Sequence, residues 1–259
     1  MNSERGHAMM LVISPGHWKV GTGAVGLIDE VTEARKVVQR ISEIFKQHRI
    51  EHVTVVDQQS KNVRENLTYL IKEHQKHKAT TNVSIHFNAV SGGIRESEIG
   101  CEVLYAHRNM ESLAAKLSAA ISKAGNLKDR GAKLRQDLRW LNVFSTNGVL
   151  IEVCFVNSKK DVENYKQNFN QICWAIAECL APKVAQKSPL SAANVQFSNE
   201  HIAAKVETIL NDRAYVLKML QLGVSNGAIQ SLWIDKYREN LSIIDLLGLS
   251  FIILQKLAK

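Results

Sequence analysis

Four side chains able to bind a metal ion or transfer a proton lie at or near the ends of short apolar segments. His17 follows the run Met9–Ile13, His86 lies within an apolar stretch, and Glu152 is flanked by valine, leucine and isoleucine. Glu30 comes 13 residues after His17, across a glycine-rich loop with the freedom to fold back. Two imidazoles and one carboxylate with an open fourth position suit hydrolytic zinc, which activates a bound water and polarises a carbonyl. A further carboxylate then serves as the general base.

Each of these residues also has a structural interpretation. A single strand histidine often has only a packing role, and Glu152 is alternatively the partner of a buried Arg or Lys, because an unpaired buried carboxylate is costly. His74 and His77, on a lysine-rich helix, are interpreted as part of a solvated basic face. The absence of His-Glu-x-x-His disfavours a zincin-type protease. Gly21–Gly26 matches a dinucleotide-binding fingerprint only superficially, since no strand immediately precedes it.

The elements that must position these residues follow from hydrophobic periodicity. Apolar runs predict strands, and apolar residues at three- and four-residue steps predict amphipathic helices. The predicted strands are 9–13, 51–56, 82–88, 98–106 and 148–155, and the predicted helices are 29–48, 61–78, 110–124 and 159–180. This alternation predicts an α/β fold, a mostly parallel twisted sheet with helices on both faces. In such sheets functional groups gather beyond the carboxyl ends of the strands.

Several motifs in this order resemble one known family. They are Ser14-Pro-Gly-His17, Gly23-Ala24, Glu30, Ser84-Ile-His86-Phe-Asn88-Ala89 and Val149-Leu-Ile-Glu152-Val-Cys-Phe155. Together they resemble the zinc-dependent N-acetylmuramoyl-L-alanine amidases of the amidase-3 type, found in autolysins, sporulation lysins and phage endolysins. The resemblance implies that His17, Glu30 and His86 are ligands of Zn²⁺ and that Glu152 is the catalytic glutamate. It also implies hydrolysis of the amide between N-acetylmuramic acid and L-alanine in peptidoglycan.

Three further residues are candidates for contact with the substrate, and the sequence departs from the family pattern at two positions. Asn88 is a candidate to orient a ligand or substrate. Arg130 and Lys133 are candidates to meet stem-peptide carboxylates, with a solvated loop as the alternative. Their segment resembles the run before the last strand of clostridial and bacillus phage endolysins. Ser14 replaces the usual acidic residue before Pro-Gly-His, and Trp18 replaces a common glycine, so the surroundings of the ligands are expected to differ.

The resemblance covers residues 1–181, which we assign to a catalytic domain. The polar segment 182–197 contains two prolines and two lysines without acids, and reads as a linker. Helical periodicity over 198–259 predicts a small all-helical domain. The family resemblance implies that this domain binds the cell wall, with a secondary cell-wall polymer as a candidate ligand. The alternative is dimerisation through these helices. A faint helix-turn-helix pattern there is set aside, because this segment carries only 7 Lys and Arg against 6 Asp and Glu.

The charge of the chain indicates an anionic partner. It has 33 Lys and Arg against 25 Asp and Glu, a net charge of +8, of which residues 1–181 carry +5. Wall polymers and stem-peptide carboxylates fit this distribution better than nucleic acid. No apolar run is long enough for a membrane span. We find no signal peptide, so we expect synthesis in the host cytoplasm and action on the wall after holin-type release. Release by lysis of the mother cell during sporulation fits the sequence equally well, and the resemblance alone favours a phage endolysin.

Two other functions share some of these features. A zinc peptidase that cuts within the stem peptide would use the same metal chemistry. A non-catalytic cell-wall-binding protein would keep the fold with an inactive site, although all four chemical groups are present.

Overall fold

A computed structural model describes residues 10–184, 219–221 and 224–225. The chain divides into two compact units, Met1–Gln186 and Lys187–Lys259. The predicted linker and the predicted C-terminal helical domain lie almost wholly outside the described residues and stay predictions. Among the described helices, none combines the length and the apolar character needed to cross a membrane.

Six strands form one sheet in the order β2-β1-β3-β6-β4-β5. They are β1 (Leu11–Pro15), β2 (His52–Thr54), β3 (Thr81–Asn88), β4 (Cys101–Tyr105), β5 (Asp129–Leu134) and β6 (Gly148–Phe155). β2, β1, β3 and β6 are parallel, β4 is antiparallel to β6, and β5 is parallel to β4. The predicted α/β fold with a mostly parallel sheet is therefore confirmed. Because β1, β3 and β6 are adjacent and parallel, their carboxyl ends share one edge of the sheet.

Helices cover both faces of this sheet. They are α1 (Glu30–Gln47), α2 (Val63–Gln75), α3 (Glu111–Gly125), α4 (Arg139–Val143), α5 (Lys159–Gln167) and α6 (Phe169–Leu180). On one face, buried side chains such as Ile13 and Ile85 pack with α1, α3, α5 and α6. On the other, Val12, Leu104 and Leu150 pack with α2 and α4. The face that carries these last three residues is called the site face below.

Helix α1 shows why the sequence folds as predicted. Asp29 caps its amino end, accepting a hydrogen bond of 2.8 Å from the backbone N–H of Thr32. This bond satisfies one of the amide groups that a helix start leaves without an intrahelical partner. Its apolar positions are buried against the sheet, among them Val31, Ile41 and Phe45.

The predicted helix over 159–180 is two helices, α5 and α6, separated at Asn168. The Asn168 side chain donates hydrogen bonds to the carbonyls of Gly125 and Asn164. Asparagine competes in this way with the backbone ladder of a helix, and it is a frequent point of interruption. Periodicity alone did not reveal the break, because apolar residues continue at helical spacing on both sides.

Strand β5 and helix α4 were not predicted. β5 has a polar sequence with little hydrophobic signal and lies at the edge of the sheet. It also contains a bulge, because Cys101 pairs with Asp129 whereas Val103 pairs with Ala132, which gives β5 one extra residue. Gly131 lies in the bulge with φ of 75°, a left-handed conformation that suits glycine.

Candidate active site

Adjacent elements bring the four predicted groups to the carboxyl edge of the sheet. His17 lies two residues beyond β1, and Glu30 is the first residue of α1. His86 is in β3 and Glu152 is its register partner in β6. Groups that are up to 135 residues apart in the chain therefore become neighbours through the parallel pairing of these strands.

Glu30 lies between the two histidines. Its Oε2 is 3.2 Å from His17 Nε2, and its Oε1 is 2.9 Å from His86 Nδ1. The glycine-rich loop folds back, as expected, and the backbone N–H of Ala24 donates to Glu30 Oε2 at 2.6 Å. Phe87 donates its N–H to Glu30 Oε1 at 3.2 Å, so the loop and β3 both hold this carboxylate.

The Glu30 carboxyl stays ionised although its side chain is almost fully buried. Burial by itself would raise its pKa. Hydrogen bonds from His17 and His86, together with their positive charge when protonated, outweigh burial and hold the pKa of Glu30 well below its usual range. Glu30 is therefore an anionic oxygen donor, which is the form that binds a metal ion.

The donor set fits a divalent ion. One ligand atom from each of His17, Glu30 and His86 lies within 4.8 Å of the other two. Two glycines make room for this arrangement. A Cβ on Gly16 would overlap the His86 ring, and a Cβ on Gly23 would overlap Glu30 and His17. Imidazole nitrogens and a carboxylate oxygen are a donor set typical of zinc, so these residues are able to hold it.

Ser84 orients the His86 ring. Its Oγ lies 3.0 Å from His86 Nε2, on the side of the ring opposite Glu30. If Nε2 carries the proton and donates to Ser84, Nδ1 keeps its lone pair for a metal ion, which is the common arrangement around metal-binding histidines. We assigned no role to Ser84 from the sequence. The available signal was its spacing, because residues two apart in a strand lie on the same face.

A buried histidine supports the strands below the site. His74, in α2, is fully buried, with Nε2 3.0 Å from Ser14 Oγ and Nδ1 2.9 Å from Asn82 Oδ1. The interpretation of His74 as part of a solvated basic face is therefore wrong. Burial lowers its pKa to about 4. Ser14, which replaces an acidic residue of the family pattern, is thus the partner of a neutral imidazole.

The loop after His17 is held by a side chain that sequence reasoning missed. Arg35, in α1, donates from Nη2 to the carbonyl of Trp18 at 2.7 Å and to the carbonyl of Asp57 at 3.0 Å. His17 itself has φ of 63°, a left-handed conformation that is uncommon for a residue with a side chain. Arg35 therefore helps to keep the chain in the turn that presents His17.

Glu152 differs from Glu30 in its electrostatics. Burial, followed by the negative charges of Glu30 and Glu102, raises its pKa to about 8, and Arg135 opposes this only in part. Its Oε2 is buried and has no hydrogen-bond partner among the described residues. Within residues 10–184 no Lys or Arg forms an ion pair with Glu152, so the alternative of a buried salt-bridge partner finds no support there.

A second carboxylate, Glu102, extends the row of polar residues, and sequence reasoning missed it. It is the register partner of Glu152 in β4 and is buried. Asn88 donates from Nδ2 to Glu102 Oε1 at 3.0 Å, and Arg130 donates from Nε to Glu102 Oε2 at 2.7 Å. Asn88 therefore contacts Glu102 here. Arg130 and Lys133 lie in the edge strand β5 and not in a loop, and Lys133 is exposed to solvent.

Solved structures of other proteins share this fold. The chain is similar to the catalytic domain of the CD27L endolysin targeting Clostridia difficile, at 24% identity and a TM-score of 0.60, covering 67% of this chain and 97% of that one. It is also similar to the catalytic domain of CwlV, an N-acetylmuramoyl-L-alanine amidase of Bacillus (Paenibacillus) polymyxa var. colistinus, at 23% identity and a TM-score of 0.59, covering 69% and 99%. At this level of identity the likeness shows the fold.

Sequence comparison places the chain in a family. It is 27% identical over 196 residues to an uncharacterized 38.4 kDa protein of Clostridium perfringens. The aligned region covers 74% of this chain and 56% of that protein. The chain thus spans about half the length of that relative. The family model described as N-acetylmuramoyl-L-alanine amidase matches residues 11–181. This match covers more than half of the chain, which therefore belongs to the Amidase_3 family of N-acetylmuramoyl-L-alanine amidases.

Proposed function

We propose that the chain hydrolyses the amide bond between N-acetylmuramic acid and L-alanine in bacterial peptidoglycan, with Zn²⁺ bound by His17, Glu30 and His86. The observation that carries the proposal is the position of Glu152. Glu152 is half-buried and paired in register with His86, and its buried Oε2 has no hydrogen-bond partner among the described residues. A general base is needed at this position, beside the metal ligands.

The metal-binding residues and Glu152 have different roles in the proposed reaction. Zn²⁺ held by His17, Glu30 and His86 would supply Lewis acidity toward the carbonyl and the attacking water. Glu152 accepts a proton from the attacking water as the new carbon–oxygen bond forms. It then donates that proton to the amide nitrogen as the carbon–nitrogen bond breaks. Glu152 returns to its carboxylate form, and the products are a lactyl carboxyl group on the sugar and a free L-alanine amine.

The two glutamates keep separate roles because their surroundings differ. Glu30, held by two histidines and two backbone amides, stays anionic as a ligand. Glu152 lacks such donors, so its affinity for a proton is high enough to carry one between water and nitrogen. A cation in the donor set favours the carboxylate form of Glu152, which is the form that starts the reaction.

Analysis of digested cell walls tests the proposal. Hydrolysis by the full chain should release new L-alanine amino termini and no new reducing sugars. Cleavage inside the stem peptide would instead yield fragments with other amino termini, and it would show that the chain is a zinc peptidase. Binding to walls without any new terminus would show a non-catalytic wall-binding protein.

We also propose a setting for this activity, an endolysin made in the host cytoplasm that reaches the wall after holin-type release. Two features support it, the similarity to the CD27L endolysin catalytic domain and the endolysin-like run around Arg130. We propose that residues 198–259 bind a secondary cell-wall polymer. Sedimentation of the full chain with walls before and after removal of those polymers tests this role. Unchanged sedimentation would contradict it.

A further inference from the structure

The bulge in β5 changes which side chains this edge strand presents. In a regular strand, residues three apart point to opposite faces. The extra residue at Gly131 shifts the register, so that Lys133 pairs with Leu104 and lies on the site face, while Arg130 reaches Glu102 on that same face. Two cations that a regular strand would separate therefore lie on the face that carries Glu152.

Arg130 is held in place, yet part of its guanidinium remains available. Its Nε donates to Glu102 Oε2 at 2.7 Å, and its Cζ lies 5.0 Å from the centre of the Phe155 ring. The terminal nitrogens Nη1 and Nη2 make no hydrogen bond to any described residue, and the side chain is 34% exposed. A guanidinium fixed by one carboxylate and one ring presents its other donors in a defined direction, which lowers the entropy cost of binding.

Lys133 supplies a positive charge that no carboxylate balances among the described residues, whereas Glu102 balances the charge of Arg130. Lys133 is exposed and forms no ion pair within residues 10–184. Its partner Leu104 is two residues from Glu102 in β4, a separation of about 7 Å along a strand. A carboxylate between Arg130 and Lys133 is therefore within reach of both side chains.

The spacing matches a peptide that begins at Glu152. Strands are about 4.8 Å apart, so β5 lies about 10 Å from β6 across β4. The Arg130 side chain shortens this gap, because it reaches back to Glu102 in β4 and to the Phe155 ring in β6. Two residues of extended peptide span about 7 Å. When the first residue of a stem peptide is at Glu152, the carboxyl group of the second residue therefore lies near the Arg130 guanidinium.

We propose that Arg130 and Lys133 form a carboxylate-binding subsite that makes the chain select stem peptides whose second residue has a free carboxyl group. The inference rests on the proposed amidase function and adds a preference that this function does not require. A carboxamide at the same position keeps the size of the group but cannot pair with two cations. Walls in which this carboxyl is amidated are therefore the poorer substrates.

Two soluble muramyl peptides test the subsite. They differ only in the second residue, which has a free carboxyl group in one and a carboxamide in the other. We expect the zinc-loaded full chain to cleave the free-carboxyl peptide with a kcat/KM about tenfold higher, roughly the contribution of one charge-assisted hydrogen bond. Lys133→Gln should reduce this ratio toward one. Lys123→Gln, which neutralises an exposed lysine of α3 on the opposite face, should leave it unchanged.

The outcomes separate the subsite from the amidase proposal. Equal cleavage of the two peptides by the unmodified chain overturns the subsite and leaves the amidase function intact. So does a Lys133→Gln variant that keeps the full ratio. Cleavage of neither peptide overturns the amidase function and the subsite together. Arg130→Gln should also reduce the ratio, and a thermal unfolding curve shows whether loss of its bond to Glu102 disturbs the fold.

Discussion

His86 and Glu152 are register partners on the adjacent parallel strands β3 and β6. Paired residues on neighbouring strands lie on the same face, about 5 Å apart. His86 belongs to the group of two histidines and one carboxylate that could hold a metal ion. Glu152 has an oxygen, Oε2, with no hydrogen-bond partner among the described residues. The sheet therefore sets the separation between His86 and the proposed base, whereas loops position His17 and Glu30.

Replacement of the base should remove activity and leave metal binding intact. We expect Glu152→Gln to lower the rate of wall hydrolysis about 10²–10⁴-fold, because the amide cannot accept a proton from water. Zinc content, measured by atomic absorption, should stay at the level of the unmodified chain. Glu163→Gln, an exposed glutamate of α5, is the matched control. Undiminished hydrolysis by Glu152→Gln would exclude the proposed role.

Loss of the Ser84 hydroxyl should weaken zinc binding. Ser84 Oγ is 3.0 Å from His86 Nε2, and removal of such a partner of a ligand typically costs about 10–100-fold in metal affinity. We expect a drop of this size for Ser84→Ala in a competition titration against a chelator, with partial recovery in Ser84→Thr. Ser122→Ala, a partly buried serine of α3, should bind zinc normally. Equal affinity in Ser84→Ala would mean that this hydroxyl does not position His86.

His74 should make the fold sensitive to acid. Burial lowers its pKa from 6.5 to about 4, so between these values the unfolded chain takes up a proton that the folded chain refuses. The free energy of unfolding therefore falls as the pH decreases from 6.5 toward 4, by about 3 kcal/mol in total from this residue. Urea unfolding of the full chain at several pH values measures the decline.

Two variants assign that decline to His74. His74→Gln has no group that titrates in this range, so its stability should depend less on pH between 6.5 and 4. His77→Gln alters a partly exposed histidine just after α2 and should keep the decline of the unmodified chain. The assignment fails if His74→Gln and His77→Gln show the same slope.

Salt should separate adsorption to the wall from hydrolysis. The net charge of +8 favours binding to an anionic polymer, and this attraction weakens at about 0.5 M NaCl, where screening acts over a few ångströms. We expect lysis of whole walls to fall steeply with salt, whereas cleavage of a small soluble muramyl peptide changes less. Turbidity loss and peptide release measure the two rates. A parallel decline of both would place the salt effect in the active site.

The sequence by itself determined the features that depend on local order. Apolar runs predicted the parallel strands, helical periodicity predicted the long helices, and the strand ends predicted where His17, His86 and Glu152 would meet. The glycines after His17 indicated a loop that returns to Glu30. Each of these inferences needs only residue types and short spacings, because strand alternation and helix periodicity are local properties of the backbone.

Tertiary structure alone decided the surroundings of these groups. Glu102 became a neighbour of Glu152 through antiparallel pairing of β4 with β6, which no local pattern encodes. His74 was on a helix with polar neighbours, and only the packing of α2 on the sheet buried it between Ser14 and Asn82. Strand β5 has almost no hydrophobic signal. The register and the bulge of β5 come from its pairing with β4, and they determine which cations lie on the face of the sheet that carries Glu152.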